Sequence, residues 1–85
     1  MLYGAGKRGK AYFKQLKCRE DYEITLWVDK DYAKYVEKGY EVYAPKDIKN
    51  ITYDVILIAV YDFNIVQSII DELTAMGINK DKIIW

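Results

Sequence analysis

Histidine is missing from this chain of 85 residues, and cysteine occurs once. Together these absences exclude a Ser-His-Asp or Cys-His machine within the chain, and they leave a structural zinc site without a ligand set. The lone Cys18 has no partner for an internal disulfide, which suits a reducing compartment, and we expect a cytoplasmic protein. Cys18 falls between Lys17 and Arg19, but a lone cysteine reads first as structural or incidental. No apolar run approaches the roughly 20 residues of a membrane span. Net charge is also absent: 13 cations balance 13 acids, which argues against general nucleic-acid binding. Proline occurs once and glycine five times, so the few glycines carry weight by position.

Three of the five glycines fall together, in Gly4-Ala5-Gly6-Lys7-Arg8-Gly9. This is an unbroken G-x-G-x-x-G directly after Met1-Leu2-Tyr3, which reads as a short strand. Such a turn between a strand and a helix is how a Rossmann βαβ unit seats a nucleotide pyrophosphate. The first glycine permits the turn, the second admits the phosphates to bare backbone, and the third lets the helix close on the strand. Asp29 lies twenty residues beyond Gly9, at the end of the β-branched and aromatic stretch Glu23 to Val28. A carboxylate there is placed for ribose hydroxyls and repels a 2′-phosphate, which favours NAD(H) over NADP(H). The neighbouring Lys30 works against that preference.

Charge is distributed unevenly. Residues 1–19 carry Lys7, Arg8, Lys10, Lys14, Lys17 and Arg19 and no acid. Lys7, Arg8 and Lys10 fall in the first turn of the expected helix, where the macrodipole already disfavours cations. A bound anion resolves that conflict. A solvated basic face tolerates it at a cost of a few tenths of a kcal/mol per charge, roughly.

The remaining sequence alternates strand and helix patterns. Lys7 to Lys17 reads as a helix with Gly9, Phe13 and Leu16 on one face. Asp31 to Lys38 is a second helix, with Tyr32, Tyr35 and Val36 at helical spacing, ended by Gly39. Glu41-Val42-Tyr43 reads as a short third strand, and Pro45 opens a short helix through Lys49. Val55 to Val60 is the most apolar run, as expected of a strand covered on both faces. Asn64 to Met76 is the longest helix, with Ile65, Ile69, Leu73 and Met76 expected inward, and Lys82 to Trp85 is a fifth strand. The expected fold is α/β: one small Rossmann-like domain over 1–85. Its parallel sheet has about five strands in the order 3-2-1-4-5, with helices on both faces. The crevice then lies between the first and fourth strands, beside Tyr61-Asp62-Phe63-Asn64. Asp62 or Asn64 caps the helix there, and Tyr61 offers a wall to a base or sugar.

These blocks, with Trp27-Val28-Asp29, Gly39-Tyr40-Glu41-Val42-Tyr43-Ala44-Pro45 and Tyr53 to Ala59, carry a resemblance. The chain resembles the small Rossmann-like nucleotide-binding domains of bacterial surface-polysaccharide biosynthesis proteins. Those domains stand before nucleotide-sugar dehydratases, in sugar acyltransferases, and attached to glycosyltransferases or methyltransferases. The acyltransferase branch commonly has a Gly-His pair in the turn, where this chain has Lys7-Arg8. The resemblance implies a domain that holds NAD or a nucleotide sugar; with no second half of a dinucleotide fold and no metal-ligand set, we expect a fragment of a longer polypeptide that needs no metal. The expected site is Gly4, Gly6, Lys7, Arg8, Gly9, Asp29 and Tyr61. No catalytic constellation is present: the Tyr3 to Lys7 spacing matches Tyr-x-x-x-Lys but straddles the glycine turn. The alternative is a ligand-free structural domain that pairs with a second copy through an exposed sheet edge near Trp85.

Overall fold

A computed structural model describes residues 1–85. The chain runs β1 (Leu2–Tyr3), α1 (Lys7–Lys17), β2 (Trp27–Val28), α2 (Tyr32–Glu37), a 3-10 turn (Pro45–Asn50), β3 (Ile56–Ile58), α3 (Phe63–Ala75), a second 3-10 turn (Lys80–Lys82) and β4 (Ile83–Ile84). The four strands form one parallel sheet in the order β2-β1-β3-β4.

The period-2 alternation of strand side chains divides the core into two layers. Met1, Tyr3, Leu26, Val28, Ile56 and Ile58 face one way, against Val66, Ile69, Ile70 and Leu73 of α3. Leu2, Trp27 and Ala59 face the other way, where Tyr35 of α2 and the half-buried Tyr12 and Phe13 of α1 cover them. Both faces are thus sealed by helices, which is the condition for a stable parallel sheet. Phe13 and Trp27 stack with ring centroids 4.2 Å apart and nearly parallel planes, tying α1 to β2.

Several elements differ from the sequence-based expectation. The third strand is reduced to a single parallel bridge between Val28 and Tyr43. Tyr43 donates its amide to the Trp27 carbonyl and accepts from the Asp29 amide, but Pro45 begins a 3-10 turn two residues later and has no N–H to extend a ladder. Counted with that bridge, the spatial order still follows the expected one. The second strand is shorter than Glu23 to Val28, because the register of β1 reaches only Leu2 opposite Trp27, and the Leu2 amide takes the Leu26 carbonyl.

The third difference is the inward face of α3. Its apolar positions form a stripe wide enough for two orientations, and the fold buries Val66, Ile69, Ile70 and Leu73 while Ile65 stays half exposed. In α2, likewise, only Tyr35 is buried, and Tyr32 and Val36 face solvent. The helix α3 starts at Phe63, because the Asp62 carboxylate accepts from the Asn64 amide at 2.9 Å and caps it.

Candidate functional site

The loops at the carboxyl ends of β1, β2 and β3 meet where the chain leaves β1 and β3 for opposite sides of the sheet. They surround a cavity of about 560 Å³, inside the span of roughly 300–1,000 Å³ typical of ligand pockets. Two cavities of about 620 Å³ lie elsewhere, one at the amino ends of the strands and one along the outer edge of β2. Neither touches the glycine turn, so size does not choose among the three; the chemistry of the lining does.

Each glycine of the turn has a different task. Gly4 sits at φ +118°, a conformation that side chains rarely adopt, and a Cβ there would come within 2.8 Å of the Ala59 carbonyl oxygen. Its amide donates to the Val28 carbonyl at 2.8 Å, continuing the sheet into the turn. Gly9 is buried in α1, and a Cβ there would overlap the Gly4 carbonyl. That contact is what lets the helix close on the turn. Gly6 is different: it is exposed, its φ of −71° suits any residue, and the nearest atom to an added Cβ is the Tyr35 hydroxyl at 3.9 Å. The fold demands glycine at positions 4 and 9 but not at position 6, and Gly6 faces the cavity.

Two side chains hold the turn. The Trp27 indole N–H donates to the buried Gly4 carbonyl at 2.7 Å. The Asp29 carboxylate accepts from the Ala5 amide at 2.7 Å through one oxygen and from the Asp31 amide at 2.8 Å through the other. Asp29 thus ties the glycine turn to the start of α2 with two charge-assisted bonds. A carboxylate offers about four acceptor sites, so capacity remains on the side that lines the cavity. Asp29→Asn is expected to destabilise the chain by about 1–3 kcal/mol, because the amide must present a donor to one of two backbone donors. Urea denaturation measures this, and an unchanged midpoint would show that the carboxylate does not hold the turn.

The helix α1 opens at Gly6 with no side-chain cap and no acid in its first turn, and Lys7 and Arg8 line the cavity in front of it. The site therefore presents uncapped amides and two cations together. Arg8 lies over the exposed Tyr61 ring at 4.3 Å from its centroid and donates to the Tyr12 hydroxyl at 2.9 Å. Lys10 points elsewhere, over the Tyr40 ring at 4.7 Å. The one ion pair of the molecule, Arg19 with Asp21, is exposed and lies beyond the end of α1, away from the turn.

Of the residues expected from sequence, Gly4, Gly6, Lys7, Arg8, Asp29 and Tyr61 line the cavity, and Gly9 lies behind it. Sequence reasoning missed Trp27, which it placed in the second strand with no sign of the bond to Gly4. It also missed Tyr3 and Glu72. Both residues line the same cavity, and the Tyr3 hydroxyl donates to a Glu72 carboxylate oxygen at 3.4 Å. Burial, then the charges of Glu72 and Asp29, push the Tyr3 phenol well above its ordinary pKa, so it stays a neutral O–H donor.

Cys18 is exposed at the end of α1. No helix is long and apolar enough to cross a membrane. The family model described as C2185-like, N-terminal, matches residues 1–84, and the chain belongs to that family. No curated protein and no solved structure matches it.

Proposed function

We propose that the chain is a nucleotide-binding module that seats the diphosphate of NAD(H) or a nucleotide sugar on the Gly4–Gly9 turn. The observation that carries this reading is Gly6, the one glycine of the turn with no structural reason to be glycine. Its open face borders both the uncapped first turn of α1 and the cavity. Bare backbone at that point is what a diphosphate needs for close approach, and the dipole and amides of the helix start favour negative charge. Lys7 and Arg8 add two cations, with Arg8 leaving the Tyr61 ring to reach a phosphate. Asp29, with acceptor sites to spare, takes ribose hydroxyls and disfavours a 2′-phosphate.

The resemblance to polysaccharide-biosynthesis domains suggests the setting: a cytoplasmic module serving a neighbouring catalytic domain of a sugar-nucleotide enzyme or transferase. We assign the chain binding rather than turnover, with the chemistry left to the neighbouring domain.

Isothermal titration with ADP, NAD, NADP and UDP-glucose tests the reading. Saturable binding of at least one diphosphate ligand at or below about 1 mM is expected, weakening as salt rises, with NAD ahead of NADP. Silence from all four, by a chain whose melting transition shows it folded, would leave the structural reading. That reading draws on Ile84 in the edge strand β4 and Trp85 just after it, both of which stay exposed.

A further inference from the structure

The cavity does not end at the phosphates. Beyond Gly4 and Val60 it continues along α3, where Ser68 and Glu72 line it together with Tyr3 from β1. This wing differs chemically from the glycine end. It holds a carboxylate, a phenol and a hydroxyl, and no cation lines it, so a phosphate is unwelcome there. The Tyr3 side chain is almost wholly buried (2% exposed), and the residue lines the cavity with its hydroxyl turned to Glu72. The 3.4 Å separation from Glu72 is long for a hydroxyl–carboxylate bond, which ordinarily spans about 2.5–2.7 Å. The carboxylate is therefore weakly engaged and retains most of its acceptor capacity. Ser68 donates its hydroxyl to the Asn64 carbonyl at 3.1 Å and leaves its lone pairs free. Apolar walls come from Ile65 and Ile69, and the half-exposed Ile65 serves this wing instead of the core.

We infer that this α3 wing is a hydroxyl-reading subsite, in which Glu72 and Tyr3 hydrogen-bond the glycosyl group attached to the second phosphate of the bound nucleotide. The inference rests on the nucleotide reading given above and narrows it. The chain prefers nucleoside diphosphates that carry a sugar, such as ADP-ribose, NAD or UDP-glucose, over the bare diphosphates. A neutral sugar hydroxyl donates to Glu72 and accepts from Tyr3, and bridges a pair whose own hydrogen bond is long. The apolar floor of Ile65 and Ile69 suits the C–H face of a sugar ring. Arg8 and Lys7, at the other end, fix which end of the ligand faces the acid.

Two matched pairs of probes test this: ADP against ADP-ribose, and UDP against UDP-glucose, titrated calorimetrically into the chain and into Glu72→Gln and Tyr3→Phe. In at least one pair the glycosylated ligand is expected to bind about tenfold tighter than the diphosphate. Glu72→Gln should remove most of that gain while leaving the bare diphosphate within about twofold, and Tyr3→Phe should remove part of it. Both variants are conservative in shape, and a thermal melt of each reports whether it is folded. If the diphosphates bind but the glycosyl group adds nothing, or Glu72→Gln weakens both members of a pair equally, the subsite is wrong and the diphosphate site stands. If neither diphosphate nor glycosylated ligand binds the folded chain, subsite and diphosphate site fall together.

Discussion

Gly9→Ala is expected to destabilise the fold by at least about 3 kcal/mol. The methyl group would overlap the Gly4 carbonyl oxygen, an atom that cannot retreat. That carbonyl accepts the Trp27 indole N–H, and Gly4 itself sits between the Val28 carbonyl, which its amide meets, and the Ala59 carbonyl. Relief requires the whole of α1 to lift from the sheet, and with it the Phe13–Trp27 stack. A domain of this size commonly has only about 5–10 kcal/mol of stability, so the loss lowers the melting temperature by 10 °C or more, roughly. Thermal denaturation followed by far-UV circular dichroism reads the change. A variant that melts with the parent would mean the helix withdraws freely, and the turn geometry described here would be wrong.

Gly6→Val is expected to do the opposite: abolish nucleotide binding, by about a hundredfold or more, in a chain that stays folded. Position 6 has extended backbone suited to a β-branched residue, and open space beyond its Cβ. The structural cost is that of a poor N-cap, about 1 kcal/mol or less, equal to a few degrees in melting temperature. The isopropyl group instead occupies the approach to the first-turn amides, which a diphosphate must reach within hydrogen-bond distance. Calorimetry against the tightest of the nucleotide probes, with a melt of the same sample, separates the two effects. Normal affinity in Gly6→Val would refute the diphosphate assignment, whatever the stability. The contrast between positions 6 and 9 matters more than either alone: adjacent glycines of one motif fail in different measurements for different reasons.

Much of this was legible in the residues. The bounds of α1 follow from the glycine turn before it and the apolar face through Gly9, Phe13 and Leu16. The parallel order follows from strands separated by helices, and β3 from the most apolar run. Illegible parts share a cause. Ile65 and Val66 are both apolar neighbours at the start of α3, and periodicity cannot say which faces the sheet; the docking angle of the helix decides, and it sends Ile65 to the cavity. Tyr43 alternates correctly between the buried Val42 and Ala44, yet makes one bridge, because Pro45 turns the backbone away.

By itself, the sequence determined what chemistry the chain lacks, where its turn and helices lie, and the spacing that sets an acid opposite a glycine turn. Those properties depend on neighbours a few residues apart and on composition, which the linear order contains. Only the tertiary structure decided that two glycines of the turn serve the fold while Gly6 is free of that demand. It alone showed that Asp29 spends two of its acceptor sites on the backbone, and that Tyr3 meets Glu72 across 69 positions. Such pairings depend on strand register and helix docking, which are fixed by packing over the whole sheet and leave no local signature in the residues that they join.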